Sequence, residues 1–167
     1  MVRTAPSLLA GALLALAAPL TSAAEEGTFN TPGLVPETAM KVVEAAMTEC
    51  RDRDAQVAVA VVDRGGNTQA LKRDQFAGPH TTKTAVSKAW TAISFRTDTL
   101  ELRDISEPGK EGYGIQHLPR VTVLGGGKMI QNGGRILAGI GVSGAPSGAI
   151  DDECAAAGID AIREEIL

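Results

Sequence analysis

Two histidines are the only imidazoles in the chain, and His80 has the more suggestive surroundings. It stands at the start of a predicted helix whose first turns carry Lys83, Thr84, Ser87 and Lys88. At helical spacing His80, Lys83, Thr84 and Ser87 share one face. An imidazole with neighbouring ammonium and hydroxyl donors can coordinate a haem iron and pair with a propionate. The alternative is a helix-start histidine with solvated lysines, and the residues alone leave both open.

The second histidine lies in a segment with no helical or strand periodicity. Residues 107–120 contain three glycines and two prolines, which predicts a long surface loop, and such loops are often functional. Tyr113 and His117 fall within it. They are alternative ligands or residues of a lid over the site.

Two glycine-rich motifs suggest nucleotide binding but do not support it. Residues 139–144 read G-I-G-V-S-G, yet a dinucleotide unit needs a helix and then a second strand with an acidic residue about twenty positions on. Only 167 − 144 = 23 residues follow. Residues 125–128 read G-G-G-K, but Met129 stands where a phosphate loop requires Ser or Thr. We expect these glycines to let a helix or a ligand approach a strand closely.

No side chain has the environment of an activated nucleophile. Ser143 lies in G-V-S-G-A, which lacks the second glycine of the G-x-S-x-G elbow. Cys154 lies among acidic residues and alanines, where a thiolate is not favoured. We therefore assign no catalytic residue, and haem degradation is the weakest of the functions considered.

The two cysteines allow a disulfide. Cys50 continues the apolar stripe of Met40, Val43 and Met47 on the first predicted helix, and Cys154 lies on the corresponding stripe of the last. If these helices pack side by side, a Cys50–Cys154 bond is geometrically allowed, and export would favour it. The alternative is two buried thiols.

The N-terminus predicts export. Residues 1–24 combine Arg3, a short apolar run from Leu8 to Leu20 and a small-residue cleavage site ending at Ala24, the three parts of a signal peptide. The run is too short to span a bilayer, which needs about twenty apolar residues. We expect a periplasmic or secreted protein with no membrane span after cleavage, the alternative being an uncleaved anchor. The net charge of −4 with scattered basic residues gives no indication of nucleic-acid binding.

The remaining sequence predicts an α+β domain at residues 37–167, preceded by a flexible arm at 25–36. Hairpin signals at both ends of the domain indicate a largely antiparallel sheet with helices covering its faces. The predicted helices are 37–52, 81–95, 98–105 and one that begins near residue 151. The predicted strands are 57–62, 68–71, 121–124, 128–131 and 135–142.

Five short blocks in order resemble the GlcG/HbpS-like family of small haem-binding proteins, also described as a haem-degrading domain family. They are Val59-Ala-Val-Val-Asp-Arg-Gly-Gly-Asn67, Ser87-Lys-Ala-Trp-Thr-Ala92, Val123-Leu-Gly-Gly-Gly127, Ile140-Gly-Val-Ser-Gly-Ala-Pro146 and Asp152-Glu-Cys-Ala155. The resemblance covers nearly all of the predicted domain.

This resemblance implies a profilin-like fold with a five-stranded antiparallel sheet, a homo-oligomer and non-covalently bound haem. It also makes His80 the expected axial ligand. The residues around His80, and not the resemblance, suggest Lys83 and Lys88 as propionate partners. The chain departs from a usual haem site in its few aromatic residues, which make up 3% of the sequence. A module that binds a different small organic ligand, or a partner protein, is the alternative.

Overall fold

A computed structural model describes Met1, Gly27 and residues 29–166. The chain divides into two units, Met1–Thr31 and Pro32–Leu167, and the fold below is that of the second. The predicted signal peptide at 1–24 lies outside the described residues, apart from Met1. Of the predicted arm at 25–36, Leu34 is buried in the core. Within the described residues no helix is long and apolar enough to cross a membrane.

Four helices and four strands make up the described fold, with short 3-10 helices at Glu111–His117 and Arg163–Glu165. In chain order the elements are α1 (Pro36–Asp52), β1 (Ala58–Asp63), β2 (Thr68–Arg73), α2 (Thr81–Phe95), α3 (Thr99–Ile105), β3 (Gly127–Asn132), β4 (Arg135–Ser143) and α4 (Gly148–Asp160). The predicted α+β class and the helix positions are confirmed.

The sheet is antiparallel throughout, in the order β2-β1-β4-β3. The two central strands, β1 and β4, are buried on both faces. Successive residues of a strand point to opposite faces, so one face of these strands carries the larger side chains and the other the smaller ones. On one face Val59, Val61 and Ile140 join the core beneath α1 and α4. On the other face Ala58 and Ala60 pack against α2. The small residues on this second face let α2 lie close to the sheet.

The predicted fifth strand, residues 121–124, is wrong. The described sheet has four strands, and this segment runs past helix α2 instead of pairing with another strand. The backbone N–H of Thr122 donates to the hydroxyl of Thr91 on α2, at 3.0 Å, which gives the segment a side-chain partner in place of a strand. The profilin-like description of the fold stays a prediction.

Helices α1 and α4 pack side by side and are joined covalently. Gly158 makes the close approach possible, since a Cβ there would lie 2.8 Å from the carbonyl oxygen of Val42. The predicted disulfide between Cys50 and Cys154 is present, with Cα atoms 5.5 Å apart. It joins residues 104 positions apart in the sequence.

The hairpin between β1 and β2 is held by one carboxylate. Asp63 Oδ1 accepts the backbone N–H of Asn67 at 2.9 Å, and Gly66 takes the positive φ of 81° that the turn needs. Partial burial alone would raise the pKa of Asp63, but the hydrogen bonds from Asn67 outweigh it and lower the pKa. The turn therefore favours the ionised carboxylate.

Candidate functional site

A cavity of about 350 Å³ lies between the start of α2 and the segment that joins β4 to α4. Its outer part includes His80 and Leu124, which are exposed. Its inner part includes Lys88, Ser143 and Asp151, which are buried. The cavity thus runs from an exposed imidazole to a buried polar end.

Glycines in β4 determine how deeply α2 sits. A Cβ at Gly141 would overlap the carbonyl oxygen of Ala85, and one at Gly139 would lie 2.7 Å from the carbonyl oxygen of Ala89. Real Cβ atoms do not approach oxygen so closely, so any other residue would push the helix away from the sheet. The dinucleotide-like motif is therefore a helix-packing device, as the close-approach interpretation of the sequence predicts.

This depth places the ammonium of Lys88 at the inner end of the cavity. Its Nζ donates to Asp151 Oδ2 and to the carbonyl oxygen of Val142, each at 2.8 Å. The two side chains are 2% and 5% exposed, so the ion pair is shielded from solvent. Asp151 Oδ1 also accepts the backbone N–H of Ala145, at 3.0 Å. The pair therefore ties α2 to the end of β4 and to the segment before α4.

Burial controls the protonation of this pair. Desolvation lowers the pKa of Lys88, although the charge of Asp151 and the hydrogen bond to it act in the opposite direction. Desolvation likewise raises the pKa of Asp151 against the influence of Lys88. Each group depends on the other to stay charged inside the protein.

His80 lies at the mouth of the cavity and is exposed. It precedes α2 in a helical conformation, and its carbonyl oxygen accepts the hydroxyl of Thr84 at 3.0 Å. The hydroxyl of Thr81 donates to the carbonyl oxygen of Gly78 at 2.7 Å, which closes the turn before the helix. The imidazole packs against Gly78, where a Cβ would lie 2.7 Å from His80 Cε1. These contacts fix the backbone and leave the ring accessible.

A second ion-pair cluster fixes the opposite wall, where Leu124 stands. Lys128 Nζ lies 2.9 Å from a carboxylate oxygen of Asp98 and 2.9 Å from one of Asp152. Burial alone would lower the pKa of Lys128, but these two partners outweigh it and raise the pKa. Thr99 donates to the carbonyl oxygen of Leu124 at 2.6 Å. The wall is thus anchored to α3 and α4.

The structure brings three of the seven predicted site residues to this cavity: His80, Thr84 and Lys88. Lys83 is exposed and Ser87 half-buried, and both lie on α2 outside the cavity lining.

Tyr113 and His117 lie on the 3-10 helix Glu111–His117 and are also outside the lining. Their rings stack edge to face with centroids 5.2 Å apart. The roles of all seven residues in haem binding stay predictions, with His80 as the predicted iron ligand.

The lining also contains residues that sequence reasoning did not assign to the site, among them Leu124, Ser143 and Asp151. Asp151 stands in the first turn of α4, where the helix dipole favours a carboxylate without any role in a site, so its position gave no signal for the cavity. Ser143 was considered only as a nucleophile. Its position two residues after Gly141 puts it on the face toward α2, a period-two relation that would have indicated the site.

A larger cavity, of about 700 Å³, lies between α3 and the 3-10 helix Glu111–His117. Its lining includes Asp104, Ile105, Lys110, Glu111 and Ile115. None of the lining residues offers an imidazole, thiolate or thioether, the side chains that usually hold haem iron. Its size alone does not make it the better candidate.

A family model described as haem-degrading protein HbpS-like matches residues 34–160. The chain belongs to the HbpS-like family. The match spans all four strands and all four α-helices described above, and it confirms the resemblance seen in the sequence.

Solved structures of HbpS-like proteins have the same fold. A double mutant of HbpS from Streptomyces reticuli is 38% identical with a TM-score of 0.76, covering 86% of this chain and 96% of that one. A PduOC:haem complex is 32% identical with a TM-score of 0.74, covering 78% of this chain and 95% of that one. One solved relative of similar fold therefore contains haem.

Curated relatives include proteins of different length. An uncharacterised 15.0 kDa protein from the dhaT-dhaS intergenic region of Citrobacter freundii is 32% identical, covering 64% of this chain and 76% of that protein. The corrinoid adenosyltransferase PduO of Salmonella typhimurium is 33% identical over 62% of this chain. The match spans only 32% of PduO, about a third of its length.

Proposed function

We propose that this protein binds haem reversibly at the cavity beside His80. The observation that carries the proposal is an exposed imidazole at the mouth of a preformed cavity, in a chain similar to a solved PduOC:haem complex. The HbpS-like family description, which names haem, supports it.

The residues around the cavity fit a porphyrin held at one edge. A volume of about 350 Å³ is near the lower end of the roughly 300–1,000 Å³ range of small-molecule sites, so the cavity takes part of a porphyrin and leaves the rest outside. His80 would ligate the iron, and Leu124 and Pro146 would contact the ring. Lys83, exposed one turn into α2, would pair with a propionate at the surface.

Bound haem would supply an iron centre for ligand binding and one-electron chemistry. The chain's own part is to orient the imidazole through the Gly78 turn and to keep the cavity wall in place through the Lys88–Asp151 pair. The sequence has no covalent haem attachment motif, and this supports reversible binding.

Export and self-association belong to the same proposal. The three-part N-terminal pattern and the Cys50–Cys154 disulfide support an oxidising compartment, the periplasm or the outside of the cell. The proposal of a homo-oligomer follows from the expectation for the family. Light scattering of the purified protein tests it by measuring the molar mass in solution.

Titration of the purified protein with haemin tests the proposal. We expect a saturable shift of the Soret band, and weaker binding of iron-free protoporphyrin, because the latter cannot use the imidazole. A Soret band that never saturates would overturn haem binding. Equal affinity for haemin and iron-free protoporphyrin would contradict a bond between the iron and the imidazole of His80.

A module that binds a small organic ligand without haem is the second candidate. One observation favours it: the inner end of the cavity is polar and carries hydrogen-bonding capacity that the protein itself does not use. Saturable binding of a small ligand to protein that fails to bind haemin would decide for it.

A further inference from the structure

Ser143 lies on the lining of the cavity, and its hydroxyl has no hydrogen-bond partner among the described residues. Ser143 is 5% exposed, lines the cavity, and follows Gly139 and Gly141 on the face of β4 toward α2. Its side chain makes no hydrogen bond to any residue in the described part of the chain. A hydroxyl on a cavity wall that the protein leaves unpaired can donate to a ligand that enters the cavity.

Two further donors converge on the same end of the cavity. The ammonium of Lys88 has three N–H bonds, and only two of them have acceptors among the described residues. Gly148, the first residue of α4, lines the cavity, where the first N–H groups of a helix lack intrahelical partners. The Ser147 side chain caps α4 by accepting the N–H of Ile150, at 3.3 Å, so its own hydroxyl proton is left to donate.

Both carboxylate oxygens at this end already accept a hydrogen bond. The two carboxylate oxygens of Asp151 accept from Lys88 and from the backbone N–H of Ala145, at 2.8 and 3.0 Å. Ser143, Ser147, Lys88 and the first N–H groups of α4 therefore offer donors to a ligand at this end. The charges of Lys88 and Asp151 cancel at this end, and the positive end of the helix dipole of α4 remains to favour an anion.

We propose that the inner end of this cavity binds a carboxylate group, with Ser143, the remaining N–H of Lys88 and the N-terminus of α4 as donors. A single negative charge suits a site whose one ammonium is already paired. A phosphate, with up to two charges, would need a further cation.

Two sources supply such a group: a small organic acid or a propionate of haem. In the haem form the inference rests on the proposed function, because the porphyrin edge would then enter the cavity with its propionate inward. With a free acid the inference stands without haem. The cavity, at about 350 Å³, has room for a small acid.

The free-acid arm uses lactate, with lactamide as its uncharged counterpart of the same shape. We expect lactate to shift the NMR signals of the backbone amides of residues 143–145 and 147–150 saturably, and lactamide not to do so. Ser143→Ala should weaken lactate binding at least about tenfold, as for the loss of one hydrogen bond to a charged group. Ser94→Ala, which removes an exposed hydroxyl from α2, should leave it unchanged.

The haem arm compares haemin with haemin dimethyl ester, whose propionates are blocked, in the same detergent. If the carboxylate belongs to haem, haemin should bind at least about tenfold more tightly than the ester, by the same hydrogen-bond estimate. Ser143→Ala should remove that preference. A positive result in either experiment that is lost in Ser143→Ala supports the proposal. The experiment that gives it shows whether the carboxylate comes from a free acid or from haem.

The proposal is overturned if lactate leaves residues 143–150 unchanged and haemin and its ester bind alike. Haem binding could persist in that case, so failure of the carboxylate site is distinguishable from failure of the proposed function. The melting temperature of Ser143→Ala adds an independent check. It should equal that of the wild type, whereas a marked fall would show that the hydroxyl is already bonded within the protein.

Discussion

Replacing Lys88 by methionine removes a buried ammonium and leaves the carboxylate of Asp151 without its counter-charge. The two side chains are 2% and 5% exposed, and the Nζ–Oδ2 distance is 2.8 Å, so water does not replace the lost partner. Breaking such a pair from one side costs about 3–5 kcal/mol. Against a total stability of roughly 5–15 kcal/mol, this is a large fraction.

The loss should depend on pH. Burial raises the pKa of Asp151, and without Lys88 the opposing influence is gone. A carboxyl group whose pKa is higher in the folded than in the unfolded state stabilises the fold at pH values below its unfolded pKa, which is about 3.9 for Asp. This stabilisation is lost as the pH rises through the pKa of the folded state. Lys88→Met should therefore be least destabilised near pH 4 and most destabilised near pH 8.

Urea unfolding followed by circular dichroism, with the disulfide intact, measures both effects. The matched control is the double variant Lys88→Met/Asp151→Asn, which removes both charges and should recover about 1–3 kcal/mol relative to Lys88→Met, as for other coupled contact pairs. A loss below about 1 kcal/mol at pH 8, typical of surface ion pairs, would refute the buried pair. So would a loss that does not change with pH.

Three further results are expected. Gly141→Ala should destabilise the protein by about 1–3 kcal/mol in urea unfolding, because the new Cβ overlaps the backbone of α2. The control Gly114→Ala, which has open space around the new Cβ, should cost less than about 0.5 kcal/mol. Equal losses of stability in the two variants would refute the packing argument. Reducing Cys50–Cys154, a closure of about a hundred residues, should lower stability by about 2–5 kcal/mol, and two reactive thiols in the untreated native protein would contradict the bond. Asp63→Asn should cost about 1 kcal/mol at pH 7. Since the pKa of Asp63 is lowered, this difference should begin to shrink as pH falls below about 4 and be lost as pH passes through the folded value, and a difference that does not shrink between pH 4 and pH 2 would contradict the turn.

Local patterns predicted most of the fold. The apolar stripe with Cys50 located α1, and the continuous Val and Ala run located β1 to within a residue. The error at residues 121–124 has a physical cause, since a β-branched run looks like a strand wherever it lies. Its partner is the hydroxyl of Thr91, thirty-one residues earlier, and sequence spacing does not reveal that contact.

The site was less accessible to sequence reasoning. His80 was found because glycine and proline flank it at a helix start. Lys88 was expected to be a propionate partner, but α2 sits so low on Gly141 that the ammonium is buried against Asp151, sixty-three residues away. Such a pairing follows from tertiary packing, which the period of one helix does not encode.

The Soret titration of His80→Ala beside His117→Ala tests haem ligation most directly, because these are the two imidazoles of the chain. We expect His117→Ala to bind haemin as the wild type does, with the same Soret maximum. His80→Ala should show a displaced maximum and at least about tenfold weaker binding, equivalent to about 1.4 kcal/mol. A wild-type spectrum and affinity in His80→Ala would contradict the account.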